Sequence, residues 1–90
     1  MKVTCDAAKD IKNQEKHGVS LTEAASIDWD VALIWQDTRH DYGESRMVAL
    51  APIGERLYCV FYVDRENDRR IISLRKASQR EFDYYEQEIN

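Results

Sequence analysis

The sequence lacks most of what secreted, metal-binding and membrane proteins need. It has two cysteines, Cys5 and Cys59, two histidines, His17 and His40, and one proline. Cysteines this far apart, outside any CxxC pair, predict reduced thiols and no metal site. The start lacks the apolar run of a signal peptide, and no stretch approaches the roughly 18 apolar residues that span a membrane. These absences predict a cytoplasmic protein that contacts no membrane.

An excess of positive charge is also missing. The chain has 13 basic and 17 acidic residues and a net charge of -4, which argues against general binding to nucleic acids. The charges are unevenly distributed, because Arg65 to Arg80 contains six basic and two acidic residues, whereas every charged residue from Glu81 onward is acidic. The net charge therefore does not exclude a local basic site. The length of 90 residues predicts a single domain over 1–90.

Capping residues and turn residues divide the chain into elements. Asp6 and Gly18 have the character of residues that flank a helix, and Ser20 and Ser78 each begin a capping box. Pro52 and Tyr42-Gly43 are expected in connections. In chain order the predicted elements are a strand over 2–5, helices over 7–17 and 20–27, strands over 31–35, 46–50, 57–63 and 70–75, and a helix from Ser78. This β-α-α-β-β-β-β-α order predicts an α+β fold, with a small antiparallel sheet and helices packed mainly on one face.

Alternation along the last two predicted strands suggests which side chains share a face. Leu74 is expected toward the helices, which directs Ser73 and Arg75 to the open face. Tyr58 and Tyr62 are expected on the open face too, because their hydroxyls need water or a partner. If the strands are neighbours, Arg75 lies beside tyrosines, an arrangement that binds phosphate and stacks on bases. The alternative is ordinary cross-strand packing with an arginine that reaches solvent.

Motifs at both ends of the chain resemble the BrnT family of bacterial toxins. Residues 6–9 (DAAK), Asn13 and residues 16–19 (KHGV) are similar to the family's D-P-A-K stretch and its N-x-x-K-H-G-V pattern. Residues 71–75 (IISLR), followed by Glu81, are similar to its closing I-I-S-A-R…E signature. The motifs occur in the family's order and span nearly the whole chain. The departures from the family pattern include Cys5, Ala8, Leu21 and Leu74.

The resemblance carries expectations about fold, activity and partners. It implies a RelE-like fold and a growth-arresting endoribonuclease that uses no metal and no organic cofactor. It implies neutralisation by BrnA, a small antitoxin that dimerises and binds DNA, so that the toxin meets DNA only through its antitoxin. Two alternatives stay open. One is an inactive binding module that serves as the antitoxin's partner and co-repressor, and the other is an RNA-binding domain without cleavage.

Candidate site residues follow from the resemblance and from the chemistry of RNA cleavage. The 2′-hydroxyl attacks the adjacent phosphate, so the site must accept a proton, stabilise negative charge and protonate the leaving 5′-oxygen. His17 is the first candidate for proton transfer, since a free imidazole titrates near pH ~6.5, and Arg75 is the first for binding phosphate. The expected catalytic set is His17, Arg75, Arg46, Lys16 and Lys76. The expected RNA-binding set is Arg70, Arg80, Tyr58 and Tyr62.

Each candidate also has an ordinary structural explanation. Lys16 and His17 end a predicted helix, where a cation interacts favourably with the helix dipole. Arg75 is equally suited to a surface ion pair. Arg80 falls in the first turn of the final helix, a poor position for a cation, which suggests either an anionic partner or plain solvation. Of the two tryptophans, one is expected in the core.

Overall fold

A computed structural model of the chain describes residues 2–41 and 43–89. The strands are β1 (Lys2–Cys5), β2 (Leu33–Gln36), β3 (Arg46–Ile53), β4 (Arg56–Asp64) and β5 (Asp68–Lys76). The helices are α1 (Ala7–His17), α2 (Gln79–Ile89) and two short 3₁₀ helices at Leu21–Ser26 and Trp29–Val31. The predicted bounds of β1 and α1 are confirmed. The second predicted helix is a 3₁₀ helix instead, and Val31 belongs to the next one rather than to β2.

The five strands form one mixed sheet in the order β1-β5-β4-β3-β2. Strands β2 to β5 are antiparallel neighbours joined in sequence, but β1 lies parallel to β5. The prediction of a fully antiparallel sheet is therefore wrong. Tight hairpins enforce antiparallel pairing, whereas β1 and β5 are separated by the rest of the fold, so no short turn sets the direction of β1. The Thr4 hydroxyl donates a 2.9 Å hydrogen bond to Asp68 across this parallel pair.

Both faces of the sheet are covered, each by different helices. On one face, here called the helical face, Leu21, Ala24 and Ile27 pack against Val60 and Tyr62 of β4. On the opposite face, a second cluster formed by Val48, Leu50, Leu57, Cys59 and Phe61 packs against α2 through Tyr85. The expectation of helices mainly on one face is wrong because β4 is apolar on both sides, so each side needs a cover.

A bulge in β5 changes the alternation that sequence reasoning assumes. Phe61 pairs with Ser73 but Tyr62 pairs with Ile71, which leaves Ile72 as the additional residue. Leu74 therefore lies on the helical face as expected, and Ile71 joins it there instead of sharing the face of Ser73. Beyond the bulge, Arg69 stacks within 4.3 Å of the Tyr62 ring centroid.

The two predicted breaks have different outcomes. Pro52 lies inside β3, and the turn follows at Gly54, where φ is 60°. Strand β2 pairs with β3 only as far as Leu50, so no neighbouring strand needs the N–H that Pro52 lacks. The Pro52 carbonyl accepts a hydrogen bond from Asp28 N at 3.1 Å. Tyr42, in the other predicted connection, lies outside the described residues.

Helix α1 is attached to the free edge of β5 by one buried side chain. Asn13 is 6% exposed, and its Nδ2 donates to the carbonyls of Val19 and Leu74 at 2.8 and 2.7 Å. Its Oδ1 accepts from Leu74 N at 3.2 Å. Because β1 pairs with β5 only as far as Ile71, Asn13 supplies at Leu74 the hydrogen bonds that a further strand residue would make. No helix in the described ranges is long and apolar enough to cross a membrane.

Candidate functional site

The β4–β5 register separates Arg75 from the tyrosines of β4. Arg75 pairs with Cys59 on the face opposite the 3₁₀ helices, whereas Tyr58 and Tyr62 lie on the helical face. Tyr62 is 1% exposed and packs edge-on against Trp29 at 5.3 Å between ring centroids. The prediction that these tyrosines share an open face with Arg75 is wrong. The indole of Trp29 covers that side, and burial raises the pKa of Tyr62. Trp29 is thus the tryptophan of the core.

Arg75 is held by a carboxylate from α2. Its Nη1 and Nη2 donate to the two carboxylate oxygens of Glu81 at 2.8 and 2.9 Å. Glu81 also accepts from Ser78 N at 2.8 Å, which completes the predicted capping box. The hydrogen bonds from Arg75 lower the pKa of Glu81 to about 2, so the carboxylate is ionised at neutral pH and is a weak proton acceptor. Glu81 therefore fixes the orientation of the guanidinium, whose side chain keeps 31% of its surface exposed.

Two more arginines approach the same face beside Phe61. The guanidinium carbons of Arg46 and Arg39 lie 5.1 and 5.2 Å from the Phe61 ring centroid. Arg39 also donates to the two oxygens of Asp37, at 2.8 and 2.9 Å, and Arg46 Nε lies 3.5 Å from the same carboxylate. Asp37, itself 5% exposed, thus gathers two cations over one aromatic ring.

These side chains border an open cleft of about 260 Å³. We call it the arginine cleft and define it by Trp35, Asp37, Arg39, Phe61, Arg75 and Glu81. Arg46 adjoins it through Phe61. The cleft combines guanidinium groups, which bind phosphate, with the exposed indole of Trp35, on which a base can stack. Sequence reasoning found Arg46 and Arg75 but missed Arg39 and Asp37.

His17 lies in a second cleft between α1 and the edge of β5. This lysine cleft, of about 280 Å³, is defined by Lys9, Lys12, Asn13, Lys16, His17, Ile72 and Ser73. Partial burial lowers the pKa of His17 below its usual 6.5, and the positive charges of Lys16 and Arg75 lower it further. The imidazole is thus neutral at pH 7 and able to accept a proton. Ser73, which lines this cleft, lies two residues before Arg75 on β5, so the two clefts are neighbours.

The remaining candidates are dispersed. Arg70 forms a row with Val63 and Arg46 across the sheet, and its buried Nε has no hydrogen-bond partner in the described parts of the chain. Lys76 pairs with Tyr58 and is exposed beside α2, away from the face of Arg75. Arg80 is exposed in the first turn of α2. The structure therefore brings His17 together with Lys16 in one cleft and places Arg75 in the other, which Arg46 adjoins through Phe61. It does not add Lys76, Tyr58 or Tyr62 to either.

Among the described residues, neither a reactive thiolate nor a metal site provides an alternative to the two clefts. Cys5 and Cys59 are free, and burial raises the pKa of Cys59 to about 12, so this thiol stays protonated at neutral pH. Across residues 2–41 and 43–89, no group of three or more His, Cys, Asp or Glu side chains is placed to hold a metal ion.

The Arg75–Glu81 pair predicts a specific dependence of stability on pH. The folded-state pKa of Glu81 is about 2 against an ordinary value of 4.5, so its contribution is complete above pH 4.5 and is lost as the pH falls toward 2. Glu81→Gln should be less stable than wild type at pH 7 and should lose less stability through this acid range. Urea unfolding at several pH values measures both effects.

The matched control is Glu86→Gln, since Glu86 is an exposed acid on the same helix. This variant should follow the wild-type pH profile. Parallel profiles for wild type and Glu81→Gln would show that the pair does not contribute to acid unfolding.

Comparisons with known proteins agree on one family. The sequence profile described as "Ribonuclease toxin, BrnT, of type II toxin-antitoxin system" matches residues 6–81. No curated protein sequence matches the chain. Among solved structures, the 1.1 Å crystal structure of the Brucella abortus ribonuclease toxin BrnT is similar, with a TM-score of 0.69 and 25% sequence identity. The alignment covers 88% of this chain and 99% of the Brucella chain. The matched span 6–81 includes the residues of both clefts.

Proposed function

The chain belongs to the BrnT family of ribonuclease toxins of type II toxin–antitoxin systems, and on this basis we propose that it is a metal-free endoribonuclease acting in the cytoplasm. The observation that carries the proposal is the combination of two neighbouring clefts. One presents Arg75 in a fixed orientation, and the other presents His17 with a lowered pKa. Ser73 connects them, because it lines the lysine cleft two positions before Arg75 on β5.

The two clefts supply different groups for the cleavage reaction. Neutral His17 accepts the proton of the 2′-hydroxyl, whose oxygen forms a bond to phosphorus. Arg75 and Arg46 stabilise the negative charge that develops on the phosphate oxygens. The bond from phosphorus to the 5′-oxygen then breaks, and Lys16 donates the proton that the leaving oxygen needs. The products are one strand with a 2′,3′-cyclic phosphate and another with a 5′-hydroxyl.

This proposal predicts that purified wild-type protein, free of antitoxin, cuts a defined single-stranded RNA in the presence of EDTA. The cut ends should carry 2′,3′-cyclic phosphates, which mass spectrometry of the fragments identifies. A matched strand with 2′-O-methyl groups should stay intact, because it lacks the attacking hydroxyl. Activity that disappears with EDTA, or fragments with 3′-hydroxyl ends, would contradict the mechanism.

The second candidate function is that of an inactive partner and co-repressor. Two observations favour it, namely the net charge of -4 and the occupation of the Arg75 guanidinium by Glu81. A folded wild type that cuts no RNA, free or ribosome-bound, yet binds its antitoxin would support this candidate over the ribonuclease.

A type II toxin has a protein antitoxin as its counterpart, and we propose that a BrnA-like protein fills this role. The open edge of β2 and the adjacent α2 expose apolar side chains that a partner can cover, including Ile34, Trp35, Tyr84 and Ile89. The acidic residues of α2, Asp83, Glu86 and Glu88, favour a basic partner. Contact with DNA would then occur only through that antitoxin.

A further inference from the structure

One exposed basic feature of the fold extends beyond the chemistry proposed above, in which only its last member, Lys16, takes part. Lys9, Lys12 and Lys16 occur at i, i+3 and i+7 on α1, so they form one stripe along the lysine cleft. In an α-helix the rise of ~1.5 Å per residue separates the first and last of them by roughly 10 Å. Every ion pair found in the described ranges uses arginine, so these ammonium groups have no carboxylate partner there.

The acids of α1 are largely occupied away from this stripe. Asp6 caps the helix by accepting from Lys9 N at 3.0 Å. Asp10 accepts from Leu21 N at 2.7 Å and from the Ser20 hydroxyl at 3.0 Å, on the side that meets the first 3₁₀ helix. Only Glu15 remains as an exposed acid of the helix. The stripe is therefore a local positive strip on an acidic protein.

The cleft beside the stripe has two walls and contains His17 of the proposed site. Its far wall is Ile72 and Ser73 of β5, and the Asn13 hydrogen bonds to Leu74 fix the distance between that wall and α1. His17, the last residue of α1, also lines the cleft.

We infer that the lysine cleft binds the sugar–phosphate backbone of single-stranded RNA, with Lys9 and Lys12 as binding residues that lead the strand to His17. This inference rests on the proposed function and names the path of its substrate. A stripe of roughly 10 Å is long enough for its ammonium groups to contact consecutive phosphates of one strand. Ammonium groups hold phosphates as point charges and read no sequence. The strand is single because stacking on the exposed indole of Trp35, which lines the arginine cleft, needs unpaired bases.

The test measures binding apart from cleavage, with a fluorescently labelled 2′-O-methyl RNA strand titrated at several salt concentrations. The variant is the double replacement Lys9→Gln with Lys12→Gln. Its control is Lys2→Gln with Arg56→Gln, which removes the same amount of charge from exposed positions outside both clefts. For single strands each lost phosphate contact makes the slope of log K against log salt less steep by ~0.7. We therefore expect a decrease of about 1.4 for the variant and wild-type slope for the control.

The outcomes separate this inference from the ribonuclease proposal. Equal slopes for variant and control would overturn the inference, even if the wild type cuts ordinary RNA. If the salt slope decreases in the lysine variant but the wild type cuts no RNA, the inference is supported and the ribonuclease proposal fails. A folded wild type that does not bind the strand would overturn the inference directly. A further outcome is that polyglutamate displaces the labelled strand as well as unlabelled RNA does, and that Lys9 and Lys12 are needed for polyglutamate binding. That result would assign the cleft to an acidic protein segment instead.

Discussion

Replacing His17 with alanine is expected to lower the rate of RNA cleavage by about 10²–10⁴-fold, the usual contribution of a positioned acid or base. The pH profile should change as well. Because the pKa of His17 is depressed below 6.5, wild-type activity should fall only as the pH drops below that value, where the imidazole becomes protonated and can no longer accept a proton. The His17→Ala variant should lose this acidic limb. His40→Ala is the matched control and should keep both rate and limb.

Replacing Arg75 tests the phosphate-binding half of the same site. Arg75→Lys keeps the charge but loses the planar pair of donors, so we expect a loss of about 10²–10³-fold in rate, similar to the loss of one oxyanion donor. Arg75→Ala leaves Glu81 without its partner and is expected to be less stable. The double variant Arg75→Gln with Glu81→Gln removes both charges and separates the effect on activity from the effect on folding.

Rates are compared only among variants whose circular dichroism and urea midpoints show that they are folded. Cleavage at the wild-type rate by folded His17→Ala and Arg75→Lys would contradict the site assignment, although not the membership of the BrnT family. A loss confined to the Michaelis constant would reassign Arg75 from catalysis to substrate binding.

The sequence predicts those parts of the fold that are determined by residues close together in the chain, and not those determined by residues far apart. The ends of α1 are set by neighbours in the chain, Asp6 with its hydrogen bond to Lys9 and Gly18 with a φ of 73°, so they were predicted correctly. The direction of β1 is set by a pairing with residues 68–71, for which no local signal exists. The face of the sheet that α2 covers is likewise decided by the second apolar side of β4. Alternation along one strand assigns only one side to the core and so does not predict this cover.

In the candidate site, too, features set by local sequence were predicted and features set by tertiary packing were not. Alternation placed Ser73 and Arg75 correctly opposite Leu74, yet the bulge at Ile72 and the cover that Trp29 gives to Tyr62 depend on tertiary packing. Arg39 and Asp37 were missed because they lie in the irregular connection between β2 and β3, where periodicity carries no information. The predicted capping box located Glu81, but its bond to Arg75 depends on how α2 crosses the sheet.

The second large effect is expected at Asn13, which the resemblance to the family marked without giving it a role. Asn13→Ala would leave the Leu74 N–H and carbonyl, both at the buried edge of β5, without their partners. A buried polar group left unsatisfied costs roughly 1–3 kcal/mol, so we expect a decrease of about 3 kcal/mol in the free energy of unfolding. This is a large share of the ~5–15 kcal/mol that stabilises a typical domain.

Urea unfolding followed by tryptophan fluorescence measures the loss, and Gln14→Ala, the exposed neighbour on α1, is the control. Amide hydrogen exchange adds a local readout, because the Leu74 N–H should lose protection at Asn13→Ala before the rest of β4 and β5 does. Equal stability of the two variants would mean that water satisfies the β5 edge as well as Asn13 does. With the expected loss, the geometry of the lysine cleft depends on this amide, since it holds α1 with Lys12, Lys16 and His17 against β5 beside Ser73. Asn13 is then a structural residue of the site, and its replacement should reduce cleavage only to the extent that it unfolds α1 from β5.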